Sequence, residues 1–90
     1  MINLFQQTPG EINKGIAERL VKIRKRRRIS QKDLSVKSGV SLGSLKRFEQ
    51  TGDISLVSLT KLAIALDLEN ELESLFSNMP LLSIEEAFNE

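Results

Sequence analysis

The chain has 90 residues, 40% of them apolar, which predicts one small domain built around a single core. Cys and His are both absent, so disulfides, thiol nucleophiles, imidazole bases, zinc fingers and iron–sulfur ligation are excluded. The net charge of +1 conceals an asymmetry. Residues 14–47 hold twelve of the thirteen basic side chains and two acids, Glu18 and Asp33, whereas residues 48–90 hold nine acids and one base, Lys61.

The stretch Thr8-Pro9-Gly10-Glu11 reads as a helix start: Thr8 caps, Pro9 fits the first helical position, and Glu11 completes a capping box. Ile12, Ile16, Leu20 and Ile23 then recur at steps of four and three, predicting one apolar stripe on a helix that runs to about Arg28. Arg19, Lys22, Lys25 and Arg26 fall on its outer face. Ser30 caps a short second helix from Gln31 to about Ser38, with Asp33 in its first turn, Leu34 inward and Gly39 as a left-handed stop. Ser41 caps a third helix with Leu45 and Phe48 inward, and Thr51-Gly52-Asp53 ends it in a turn. Ser55 caps a fourth, whose buried face is Leu59, Leu62, Ala63 and Leu66. Glu69-Asn70-Glu71 opens a fifth, with Leu72, Leu75 and Phe76 inward, and Pro80 prevents its continuation beyond Met79.

No strand-like alternation, repeat or low-complexity stretch interrupts this pattern, so the fold class is all-α, a bundle of five short helices. The longest unbroken apolar run, Leu62 to Leu66, is far short of a membrane span, and the opening MINLFQQTPGEINKG lacks the features of a signal peptide. A soluble, cytoplasmic protein with no membrane role is expected. The basic block of residues 14–47 points to a polyanion, and the acidic remainder argues against a nonspecific polycation. Trp and Tyr are absent, and four Phe are the only aromatics, which disfavours base stacking on single strands or RNA.

From Gln31 to Phe48 the order is short helix, glycine-containing turn, short helix, with Leu34, Val40, Leu45 and Phe48 tying the pair to the bundle. The segment IRKRRRISQKDLSVKSGVSLGSLKRFEQTGDISLVSLTKLAIALDL resembles the Cro/repressor (XRE) class of helix-turn-helix DNA-binding domains. The matching positions include Ser30-Gln31, Leu34, Gly39-Val40-Ser41, Phe48-Glu49 and Leu62-Ala63. Within that class, SLGSLKRFEQTGDISL is similar to small HipB-like antitoxins encoded beside HipA-like kinase toxins. The resemblance implies a five-helix lambda-repressor-like domain over residues 9–78. An N-terminal extension precedes it at residues 1–8, and an acidic and apolar tail follows at 79–90.

The resemblance also implies site roles. The helix beginning at Leu42 would enter the major groove of double-stranded DNA, with Leu42, Gly43 and Arg47 facing the bases. Leu42 would touch a thymine methyl or pack locally. Gly43 departs from the Gln, Arg or Asn usual there, allowing close approach in place of side-chain readout. Arg47 would take guanine or, alternatively, a phosphate. Phosphate contacts would come from Ser30, Gln31, Ser41, Ser44, Lys46, Arg26 and Arg28. Each serine is equally explained as a cap or a solvated side chain, and the Arg26-Arg27-Arg28 run equally as a complement to a helix C-terminus. Arg24 and Glu49 would form a structural pair holding the reading helix to its scaffold. No cofactor and no metal are expected.

Three functions compete on this reading. The first is a sequence-specific transcriptional regulator, a repressor by class, acting as a homodimer on two half-sites. The second is an antitoxin that neutralises a HipA-like toxin while regulating its own promoter. The third, an enzyme, lacks His and Cys, and Glu69, Glu71 and Glu73 are spaced two apart on a helix and do not converge. No enzyme is therefore expected. Ile2, Leu4 and Phe5 at one end, and Leu81, Leu82, Ile84, Ala87 and Phe88 at the other, either fold back on the core, fray, or supply the dimer or partner surface.

Overall fold

A computed structural model describes residues 6–78. The sequence expectations for residues 1–5 and 79–90, including the Pro80 stop and the apolar positions of both tails, lie outside the described residues. Five helices follow one another: α1 (Pro9–Arg26), α2 (Gln31–Ser38), α3 (Leu42–Thr51), α4 (Leu56–Ala65) and α5 (Glu69–Glu73). No strand occurs among the described residues, and the fold is all-α with a helix-turn-helix. None of the described helices is long and apolar enough to cross a membrane.

Hydroxyl caps start the first four helices. Thr8, Ser30, Ser41 and Ser55 each accept a hydrogen bond from the backbone N–H three residues on. At Thr8 the box is closed, with the Glu11 carboxylate accepting from the Thr8 N–H. Each such cap stabilises its helix by about 1 kcal/mol.

The helix ends divide into two kinds. α2 and α3 stop at Gly39 and Gly52, both left-handed, at φ 78° and 82°. α1 and α4 stop without glycine. Arg28 and Asp67 take φ of 57° and 58°, and the N–H groups around them turn back onto the last helical carbonyls. Arg28 N–H donates to Lys25 O and Ile29 N–H to Arg24 O; Asp67 N–H donates to Ile64 O and Leu68 N–H to Ala63 O. These are Schellman closures built on a side-chain-bearing residue. The expectation that the first helix reaches Arg28 is corrected accordingly: α1 ends at Arg26, Arg27 is its C-cap, and Arg28 is already reversed.

α1 packs on α3, α2 on α3 and α4, and α5 on α4. The core comprises Ala17, Leu34, Val40, Leu45, Phe48, Leu62, Ala65 and Leu66, with Ile16, Leu20, Ile29, Ile54, Leu59 and Leu68 packed around it. Ile12, expected on the inward stripe of α1, is 48% exposed. Ile16 and Leu20 of that stripe do pack on the core, and the buried positions of α1 beside them are Ala17, whose small side chain admits close packing, and Arg24.

The fifth helix is also shorter than expected, and the inward placement of Leu75 and Phe76 does not hold. They are 52% and 89% exposed. No side chain caps α5 at Leu68, and the helix ends after Glu73 with the Ser74 hydroxyl donating back to Asn70 O. Five residues without a cap do not sustain a helix of their own, and once the turn is lost the apolar spacing no longer points inward.

Candidate nucleic-acid interface

The turn between α2 and α3 is held by its own hydrogen bonds. The Ser35 hydroxyl donates to Val40 O at 2.6 Å, and the Val40 N–H donates to Ser38 Oγ at 3.1 Å. With Gly39 reversed and Val40 buried, these bonds fix how α3 leaves the turn.

α3 is then fastened along its inner side. Leu45 and Phe48 are buried in the core. Next to Phe48, Glu49 accepts from Arg24 Nε and Nη2, each at 2.9 Å, and from Gln31 Nε2 at 2.9 Å. Arg24 also donates Nη1 to Ile29 O at 2.8 Å. The arginine and glutamate side chains are only 9% exposed, so this bidentate pair is desolvated and its geometry well defined. It binds α1, the α1–α2 connection, the start of α2 and the end of α3 into one unit. Lys14 Nζ adds a tie from α1 to the last carbonyls of α3, Glu49 O and Gln50 O. Gly52 closes the joint. A Cβ there would meet the α1 backbone at Asn13 C and Lys14 N, both 2.6 Å away.

The opposite side of α3 is open. Gly43, Ser44, Lys46 and Arg47 are exposed, and Leu42 is half-buried at the first helical position. A Cβ on Gly43 would meet nothing within 4 Å, so space is available where α3 begins. Ser41 is engaged as a cap, accepting from the Ser44 N–H and donating to Ser44 Oγ at 2.9 Å. Ser30 likewise caps α2. The Gln31 side chain is turned to Glu49, while its backbone lies at the exposed start of α2, where first-turn N–H groups favour an anion. Arg26 and Arg28 are exposed at the end of α1. Arg27 between them is committed elsewhere, donating Nη1 to Leu66 O at the end of α4.

Arg47 has a partner. Its Nε donates to Asp53 Oδ2 at 3.0 Å, with side-chain exposures of 69% and 65%. The two line an open depression with Ser44, Ile54, Ser55 and Ser58, where the outer face of α3 meets the start of α4. Sequence reasoning left out Asp53, Thr51, Lys14 and Gly52 as parts of this region. The alternation of Arg47, Thr51 and Asp53 around a glycine turn was the available signal. Nothing local marks Lys14, whose target lies 35 residues away.

Compared with known families, residues 19–71 match the Cro/C1-type helix-turn-helix DNA-binding domain. No curated protein and no solved structure matches the chain. The family match spans more than half of the chain, from within α1 into α5, and takes in the helix-turn-helix with Arg24, Gln31 and Glu49, while Lys14 lies before it. The chain therefore belongs to the Cro/C1-type helix-turn-helix family and is a DNA-binding transcriptional regulator.

Proposed function

We propose that the protein is a sequence-specific repressor that binds duplex DNA as a homodimer, α3 of each copy lying in the major groove. The observation that carries this reading is the division of α3 into a fastened inner side and a solvent-exposed outer side bearing Gly43, Ser44, Lys46 and Arg47. Leu42, Gly43 and Arg47 read bases, Arg47 by guanine contact. Ser30, Gln31, Ser41, Ser44, Lys46, Arg26 and Arg28 engage phosphates, Gln31 through its backbone N–H because its amide is held by Glu49. The protein acts by occupying DNA in the cytoplasm, without catalysis, cofactor or metal.

The test is selection of bound duplexes from a random library with the purified protein. An inverted repeat with half-sites about one helical turn apart is expected. Affinity for it should fall with salt at a logarithmic slope of about 0.9 per phosphate contact. Binding that is salt-sensitive but indifferent to sequence would refute the readout.

A second reading, an antitoxin that also binds a HipA-like kinase toxin, is favoured by one observation. Leu75 and Phe76 stand exposed directly before an acidic, apolar tail, a surface suited to a protein partner. A larger protein of kinase type encoded beside this chain, and copurifying with it, would support that role; a solitary gene would count against it.

A further inference from the structure

Arg47 is held by a closed ring of three hydrogen bonds at the end of α3. The Thr51 hydroxyl donates to Arg47 O at 2.7 Å and accepts from the Asp53 N–H at 3.1 Å, and Asp53 Oδ2 accepts from Arg47 Nε at 3.0 Å. Gly52, between Thr51 and Asp53, lies against the backbone of α1 and anchors the chain segment that carries two of the three partners. We infer that Asp53, oriented by Thr51, is a specificity-determining positioning residue that presents the Arg47 guanidinium to a guanine.

The argument runs from the atoms involved. Asp53 takes only Nε, leaving both Nη groups of Arg47 without a protein acceptor among the described residues. Two parallel N–H donors from the guanidinium are what O6 and N7 of guanine accept in the major groove. The two Thr51 bonds close the end of α3, but an ion pair this exposed contributes little to stability in water, so folding does not account for the Asp53–Arg47 pair. Its effect is on freedom: a long side chain otherwise ordered only on contact with DNA is ordered beforehand, and less is lost on binding. The carboxylate also weakens the pull of Arg47 toward a neighbouring phosphate, the sequence-blind alternative for the same side chain. The inference rests on the reading of Arg47 as a base contact, and the experiment separates the two.

The probe is the duplex recovered by selection with the wild-type protein, compared with duplexes substituted at each of its G·C pairs. Arg47→Ala should flatten discrimination at one G·C pair by roughly tenfold or more. Asp53→Asn should reduce discrimination at that same pair by roughly two- to tenfold, the cost of ordering one long side chain. Because removing a negative charge raises affinity for every duplex alike, the ratio between duplexes is the readout. Thr51→Val should act as Asp53→Asn does, Thr51→Ser should restore wild-type behaviour, and Arg47→Ala/Asp53→Asn should match Arg47→Ala alone. All these positions are exposed, and unchanged helical content by circular dichroism confirms that each variant folds.

Two results overturn the inference, in distinguishable ways. Discrimination lost in Arg47→Ala but intact in Asp53→Asn removes the buttress and leaves the base reading standing. Discrimination unchanged in Arg47→Ala, or a selection without consensus, removes the base reading and the buttress with it.

Discussion

Replacing Glu49 by alanine strands a buried cation. Arg24 keeps its bond to Ile29 O but loses both bonds to the Glu49 carboxylate at a site where its residue is 7% exposed, and Gln31 loses its only side-chain acceptor among the described residues. Breaking a buried pair by removing one partner costs about 3–5 kcal/mol. A chain of this length is stable by about 5–13 kcal/mol in total. Such a loss lowers a urea midpoint by roughly 2–4 M and a melting temperature by roughly 12–40 °C. With no Trp or Tyr in the chain, far-UV circular dichroism is the appropriate probe. Lys61→Ala, at an exposed position of α4, is the control and should stay within about 0.5 kcal/mol of wild type. The double replacement Arg24→Met/Glu49→Leu should recover most of the loss, because it removes both charges and leaves none unpaired. A Glu49→Ala cost under about 1 kcal/mol, or a double variant no better than the single, would refute the claim that desolvation of the pair governs its worth.

Gly52→Ala combines a left-handed backbone with a collision against α1 and should cost about 2–5 kcal/mol by thermal melting; a change below about 1 kcal/mol would show that α1 yields easily. Arg28→Gly should stabilise the domain by about 0.5–1 kcal/mol by relieving φ 57°, while lowering the salt slope of DNA binding by about one; a stability loss would mean that the arginine side chain supports the turn. Gly43→Ala fills open space in the first turn of α3 and should raise the melting temperature slightly, by up to about 1 kcal/mol of added stability, yet weaken binding to the selected duplex. Undiminished affinity would show that no close approach occurs at this position.

The fold was legible where the information is local. Thr8, Ser30, Ser41 and Ser55 announce their helices by residue type, and Gly39 and Gly52 announce two stops. The ends of α1 and α4 were less legible because Arg28 and Asp67 adopt the left-handed turn without being glycine, a choice set by burial of Ile29 and Leu68 beyond them. The apolar spacing at Leu72, Leu75 and Phe76 mimics a helical stripe that the chain does not continue past Glu73. At the site, the basic half and the helix-turn-helix order could be read directly. Gln31 turning inward to Glu49, Lys14 reaching Gln50 and Arg47 closing on Asp53 depend on which ends of which helices meet, and one-dimensional spacing does not carry that.

The positions that hold α3 in place, Leu45, Phe48 and Glu49, alternate along the helix with those that look outward, Gly43, Ser44, Lys46 and Arg47, and no residue belongs to both sets. Address and chassis are thus written in separate letters of one ten-residue word. On the proposed reading, the sequence recognised could change by substitution in the outward letters while the inward contacts that hold the helix stay the same. The same partition makes this helix a ready frame for re-targeting by randomising its outward positions while its inward ones stay fixed.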